Sequence, residues 1–223
     1  MTHRYGIVLV LVVASFVVQE AAPDTDLTRV VVIWLQAATL VAAVRIARAS
    51  RRFVRLAAAV AGLAAVAAPV LWVVQGSVGD GVTAIATALL VAVAPPVIAA
   101  GLAHDLFGSG EVTIETLSGV LSIYLLAGMF FSFLFAAVEA VGDDPFFAEI
   151  ADPKRADYLY FSYTTLTSTG FGDLTAATNL GRTLTSIEAL VGTIYLVTIV
   201  ALIVSNLRPR RRASGAAPAE DEP

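Results

Sequence analysis

Long apolar stretches alternate with short polar segments along the chain, and this pattern predicts an all-α transmembrane protein. Six stretches come close to the roughly 20 apolar residues that a helix needs to cross about 30 Å of hydrocarbon. They predict six membrane-spanning helices at about 6–22, 27–47, 54–74, 82–103, 114–138 and 183–207.

The first stretch is the weakest of the six, because its apolar run covers only residues 6–18. With Arg4 before an apolar core, it is also similar to a signal peptide. Gln19 and Glu20 stand where a cleavage site needs small residues. We therefore expect a retained helix, although cleavage would leave the topology of the remaining spans unchanged.

Composition agrees with a membrane protein and argues against catalysis. Apolar residues make up 58% of the chain and charged residues only 14%, which does not suit a soluble domain. Cysteine is absent, which excludes disulfides and thiolate metal sites. Only two histidines are present, and neither a His-Glu-x-x-His nor a Gly-x-Ser-x-Gly motif occurs. We expect no enzyme activity, no cofactor and no nucleic-acid partner.

Basic and acidic residues are segregated between the two ends of the predicted spans. With six spans, ten of the fourteen basic residues fall on one side, which the positive-inside rule assigns to the cytoplasm. Both termini are then cytoplasmic, and the loop between the fifth and sixth spans faces outward in a multi-pass protein of the cell membrane. These ten residues are Arg4, Arg45, Arg48, Arg51, Arg52, Arg55, Arg208, Arg210, Arg211 and Arg212.

The segment between the last two spans carries the most specific pattern in the chain. Residues 164–173 read Thr-Thr-Leu-Thr-Ser-Thr-Gly-Phe-Gly-Asp, shortly after an aromatic cluster at 158–161. A run of hydroxyls followed by Gly-x-Gly-Asp between two apolar spans resembles the selectivity filter of the potassium-channel superfamily, whose signature is Thr-Val-Gly-Tyr-Gly. The resemblance is to the two-helix pore module of that family and covers about 115–207.

This resemblance implies that potassium ions bind at residues 168–172, which we call the predicted filter segment. Replacing the hydration water of K⁺ takes stacked rings of oxygens around one axis, and glycine at alternate positions permits the backbone geometry of such rings. One chain supplies a quarter of each ring, so we expect a homotetramer around a central pore. The oxygens would be the Ser168 hydroxyl and the carbonyls of Thr169, Gly170, Phe171 and Gly172.

Residues on either side of the predicted filter segment have supporting roles in this interpretation. The stretch 157–168 lacks Gly and Pro and suits a short re-entrant pore helix, whose C-terminal end favours a cation. Asp173 would stand at the outer mouth of the pore and concentrate cations there. In potassium channels a glycine near the middle of the inner helix often serves as a hinge, which makes Gly192 the hinge candidate.

Glu188 is an ionisable residue inside the last predicted span, and such residues are functional candidates by default. We expect it to support the filter from behind, where it would accept hydrogen bonds from the short helix or from Thr164 or Thr165. The alternative is a glutamate near the membrane surface that reaches water or pairs with Arg182.

The arginines between the second and third spans recur at a spacing that resembles a voltage-sensing helix. A voltage sensor should be the fourth span, directly before the pore, whereas the predicted fourth span, 82–103, has no basic residue. We therefore interpret these arginines as part of a positively charged cytoplasmic link.

The sequence thus predicts three regions. Residues 1–110 form a four-span membrane region without a recognisable voltage sensor, 111–207 the pore domain, and 208–223 a short disordered cytoplasmic tail. The predicted function is a potassium-selective channel that conducts K⁺ passively, with membrane lipid and further copies of the chain as partners. Two alternatives stay open: a weakly selective monovalent cation channel, and a non-conducting, pore-like receptor or accessory subunit.

Overall fold

The computed structural model describes residues 4–46, 51–75, 80–109 and 113–206. Within these ranges the regular structure is entirely helical, which confirms the all-α prediction. The helices are α1 (Arg4–Ala21), α2 (Asp26–Ile46), α3 (Arg51–Gln75), α4 (Asp80–Ser109), α5 (Ile114–Val141), α6 (Arg155–Leu166) and α7 (Asn179–Asn206).

Four of the described helices contain stretches that are long and apolar enough to cross a membrane. These stretches are Asp26–Ile46, Ala84–Leu102, Ile114–Val141 and Asn179–Ile199. The apolar stretches Tyr5–Ala21 in α1 and Ala57–Ala67 in α3 are shorter. The structure therefore supports a membrane protein, while the count of six spans stays a prediction. The predicted tail, 208–223, and Arg48 lie outside the described residues.

Helices α1, α2, α4 and α5 share one apolar core, with α4 packed along α5. A small polar group is buried within this core, where the Gln36 and Gln19 amides both donate to the Ser15 hydroxyl, at 2.9 and 3.1 Å. Buried amides are stable only when they are hydrogen-bonded, so this group fixes the relative positions of α1 and α2.

Helix α1 also packs against α5 and α6, the two helices that precede the predicted filter segment. At one end of α1, the backbone N–H of Tyr5 donates to Glu115 Oε2 of α5 at 2.8 Å. Near its other end, the Arg155 guanidinium of α6 donates to the carbonyls of Gln19 and Ala22. The first helix is thereby joined to the C-terminal half of the chain at both of its ends.

A second core, made largely of aromatic rings, packs residues of the α5–α6 link against both helices. Its rings pair in edge-on, stacked or tilted arrangements, with centroids 4.8 to 6.2 Å apart, which is within the favoured range for aromatic pairs. This cluster holds the start of α6 against the C-terminal half of α5. Its buried members are Phe131, Phe135, Phe146, Phe147, Tyr158, Phe161 and Ala176.

Candidate functional site

Helix α6 is the short helix expected before the predicted filter segment. Its start is capped by Asp157, whose carboxylate accepts the backbone N–H of Lys154 at 2.7 Å. A carboxylate in the first turn is also favourable because the helix dipole is positive there. The helix ends at Leu166, so its partly negative C-terminal end lies beside residues 168–172.

The backbone of the predicted filter segment alternates in conformation. Positive φ angles occur at Ser168 (57°), Gly170 (51°) and Gly172 (78°), and the residues between them do not share this sign. The carbonyl of Thr164 accepts the N–H groups of both Thr169 and Gly170, at 2.9 and 3.0 Å. The last turn of α6 therefore holds the beginning of the segment in place.

Ser168 is the one non-glycine residue with positive φ among the described residues. Residues other than glycine rarely adopt positive φ, because their Cβ atom crowds the neighbouring carbonyl oxygen. The Ser168 hydroxyl lies 3.1 Å from that of Thr193 on α7, and its N–H donates to the Thr165 carbonyl at 2.9 Å. These contacts to α7 and α6 help to offset the unfavourable backbone conformation.

A tyrosine of α6 contacts the outer part of the predicted filter segment. The Tyr160 hydroxyl donates to Asp173 Oδ2 at 2.8 Å. Its ring stacks on Phe171 with the planes 5° apart and the centroids separated by 6.1 Å. Tyr160 therefore supplies a hydroxyl beside Phe171, whose own ring has none.

Helix α7 approaches the end of α6 very closely at Gly192. A Cβ atom on Gly192 would lie 2.0 Å from the carbonyl oxygen of Leu166, the last residue of α6. The same carbonyl accepts a hydrogen bond from the Tyr124 hydroxyl of α5 at 3.2 Å. The structure thus gives the hinge candidate Gly192 a packing role, since only glycine allows the two backbones to come this close.

Glu188 of α7 is fully buried behind α6. One of its carboxyl oxygens is hydrogen-bonded to the hydroxyl of Ser162, which lies 2.7 Å from the Gly128 carbonyl of α5. The alternative in which Glu188 reaches water is therefore wrong, and Arg182 instead donates to the Ala176 carbonyl. Ser162 connects three helices in this arrangement.

Replacing Ser162 with alanine should lower the free energy of unfolding by about 1–3 kcal/mol, because the buried hydrogen bonds that link its hydroxyl to Glu188 and to the Gly128 carbonyl would be lost. The measurement is thermal or denaturant unfolding of the purified protein in detergent. Ser118→Ala is the matched control, because the Ser118 hydroxyl donates to the Ile114 carbonyl of its own helix. That variant should stay within about 0.5 kcal/mol of the parent. Equal stability of both variants would contradict the role given to Ser162.

The sequence did not single out Ser162 as the partner of Glu188. Glu188 was expected to accept a hydrogen bond from the short helix or from Thr164 or Thr165, and it is bonded to Ser162 of that helix. Thr164 and Thr165 contact the loop through their backbone carbonyls. The signal that could have pointed to Ser162 is a small hydroxyl residue within an aromatic-rich helix, one that needs a buried partner.

A comparison with protein families finds that a family model described as an ion channel matches residues 119–208. The matched segment contains most of α5, all of α6, the predicted filter segment and α7. It supports an ion-channel pore in this part of the chain. Neither the search of curated proteins nor that of solved structures gives a match.

Proposed function

We propose that the ion-channel segment forms one quarter of a potassium-selective pore, through which K⁺ crosses the membrane passively. The observation that carries this proposal is the alternating backbone of residues 168–172. Alternation of positive and negative φ allows successive peptide N–H groups to turn toward one side and the carbonyls toward the other. A row of carbonyls facing one axis is what dehydration of K⁺ requires.

The ion-binding oxygens in this proposal are the carbonyls of residues 169–172 and the Ser168 hydroxyl. Every residue from Thr167 to Asp173 is exposed in a single chain, including Phe171, whose exposed fraction is 68%. A bare backbone at membrane depth is stable only where protein buries it or where it lines an aqueous path. Further copies of the chain around a common axis would satisfy both conditions.

Helix α7 supports a homotetramer because most of its apolar surface lacks a partner within one chain. Within its described part, only Gly181, Glu188 and Gly192 are buried. Large apolar side chains are exposed along the helix at Leu180, Ile187, Leu190, Val191, Ile194, Leu196 and Val197. Four such helices around the pore would cover one side of this surface and leave another to line the conduction path.

The proposal also includes the six-span topology predicted from the sequence. Six spans would place both termini in the cytoplasm and residues 168–173 toward the outside. Asp173 would then stand at the outer mouth, where its carboxylate attracts cations and accepts the Tyr160 hydroxyl. Residues 1–110 would form the membrane region that surrounds the pore domain, without a voltage sensor.

The experiment that tests this function is ion flux through the purified protein reconstituted into liposomes. When K⁺ and Na⁺ gradients of equal size and opposite direction are set across the liposome membrane, K⁺ flux should greatly exceed Na⁺ flux. The reason is that the carbonyl rings replace the hydration shell of K⁺. Chemical cross-linking of the same sample should give products of up to four copies of the chain and none larger. Absence of flux from an intact tetramer would contradict a pore and favour a non-conducting receptor or accessory subunit.

A weakly selective cation channel is the second candidate, and one observation favours it. Phe171 offers no hydroxyl to tether the wall of the filter, and the Tyr160 hydroxyl bonds to exposed Asp173 instead. A hydrogen bond in contact with water constrains the segment less than a buried one. Equal permeation of K⁺ and Na⁺ would establish this alternative and overturn selectivity for K⁺.

A further inference from the structure

A cavity of about 220 Å³ lies apart from the predicted filter segment, between the N-terminal helices and the start of α6. It opens at the end of the bundle that carries the α1–α2 and α5–α6 links. Asp24 of the first link and Asp152 of the second both line it. Its volume is below the roughly 300–1,000 Å³ of pockets for drug-sized ligands, so it suits a small polar group.

Two polar atoms at this cavity are buried and lack a hydrogen-bond partner among the described residues. One is Oγ of Ser132 on α5, whose side chain is 1% exposed. Other serines of α5 donate to their own helix, as Ser122 does to the Ser118 carbonyl at 2.7 Å. The Ser132 hydroxyl makes no such bond, although a buried hydroxyl without a partner is costly.

The second atom is Nη1 of Arg155, the first residue of α6. The other guanidinium nitrogens donate to the carbonyls of Gln19 and Ala22, while Nη1 has only an ion pair with Asp24 at 3.5 Å. That carboxylate is shared with Arg29, at 3.3 Å. A cation is also unfavourable at a helix N-terminus. An anionic group in the cavity would offer hydrogen-bond acceptors to these two residues of its lining.

Two further residues of the cavity lining are acidic. Glu139 and Asp152 both line it, and neither forms an ion pair within the described part of the chain. Glu139 accepts hydrogen bonds from the Tyr158 hydroxyl and from the backbone N–H of Phe146. Both of these donors are neutral, so the Glu139 carboxylate would gain from a cation placed beside it.

We propose that this cavity binds a small zwitterion, with a phosphate or carboxylate on Arg155 and Ser132 and a primary ammonium on Glu139 and Asp152. Two sources offer this chemistry: the headgroup of an aminophospholipid, and a free amino acid or amino phosphate. Bound there, the ligand contacts the first residue of α6, the helix whose other end holds the predicted filter segment.

Binding to the purified full-length protein in detergent tests the proposal without any need for ion flux. The zwitterionic probes are O-phosphoethanolamine, glycine and dihexanoyl phosphatidylethanolamine. Inorganic phosphate and ethanolamine serve as half-ligands, because each carries only one of the two charged groups. Calorimetry gives the dissociation constant of each probe. A zwitterion should bind more tightly than either half-ligand. Ser132→Ala should weaken it by about tenfold or more, because a hydrogen bond to a charged group is lost.

The comparison of probes identifies the source of the ligand. Binding of the lipid alone assigns the site to a headgroup, whereas binding of O-phosphoethanolamine or glycine assigns it to a free zwitterion. Ser118→Ala, on the same helix and outside the cavity lining, should bind like the parent. The proposal is overturned if no zwitterion binds, if phosphate alone binds as tightly, or if Ser132→Ala leaves the affinity unchanged.

Discussion

Replacing Gly170 with alanine should abolish ion flux while leaving the protein folded. Gly170 has a φ of +51°, and no other atom lies near the position that a Cβ would take. The cost of the substitution is therefore conformational and not steric. A left-handed backbone at an alanine costs roughly 1–2 kcal/mol, which amounts to about 4–8 kcal/mol over the four copies of the proposed tetramer. The segment should relax to another conformation, and its carbonyls should leave the pore axis.

Gly62→Ala is the matched control for this prediction. Gly62 lies exposed in α3, its Cβ would also meet nothing within 4 Å, and its φ is not positive. In a helix the change from glycine to alanine is favourable by about 1 kcal/mol, so flux should be unchanged. Both variants are assayed by K⁺ flux in liposomes, with cross-linking to verify assembly. Normal flux in Gly170→Ala would contradict the proposed path along residues 168–172.

The helices and the candidate loop could be predicted because both depend on patterns that are local in sequence. The apolar run of α5 predicts a helix at 114–138, and the structure has one at Ile114–Val141. The alternate glycines of the loop likewise permit positive φ, and the structure has it at Gly170 and Gly172. Hydrophobic length and glycine chemistry act over a few residues, so they can be read without knowledge of the fold.

Contacts between distant parts of the chain could not be predicted in the same way. Ser168 adopts positive φ and contacts Thr193, a residue 25 positions away. Nothing in the sequence around Ser168 indicates either feature. Ser162 meets both Gly128 and Glu188, across 34 and 26 positions. Such pairings depend on how α5, α6 and α7 cross, and the apolar pattern of a membrane helix does not specify which face meets which neighbour.

Gly192 allows two interpretations, a hinge or a close-packing residue, and only its contacts in the fold distinguish them. From the sequence, a glycine near the middle of the last span resembles the hinge of a pore-lining helix. In the structure, its Cβ would lie 2.0 Å from the Leu166 carbonyl oxygen and 2.9 Å from the carbonyl carbon. The two readings predict different results for alanine. A hinge variant should fold normally and open differently, whereas a packing variant should lose stability.

Gly192→Ala should therefore lower the stability of the folded protein by about 3 kcal/mol or more per chain, and ion flux should be lost as well. Overpacking costs typically 1–3 kcal/mol, and here the obstacle is backbone, which cannot rotate away as a side chain can. The end of α6 would have to move, and the predicted filter segment begins two residues later. Unfolding in detergent and K⁺ flux in liposomes measure the two effects separately.

Gly119→Ala is the control that isolates the role of the backbone. A Cβ on Gly119 of α5 would also be crowded, at 2.9 Å, but by the terminal methyl groups of Leu102 on α4. A leucine side chain can change rotamer, so this variant should lose clearly less stability than Gly192→Ala and should still conduct. If Gly192→Ala instead matched Gly119→Ala in stability but conducted with altered opening, close packing would not be the reason for this glycine. Residue 192 would then act as a hinge.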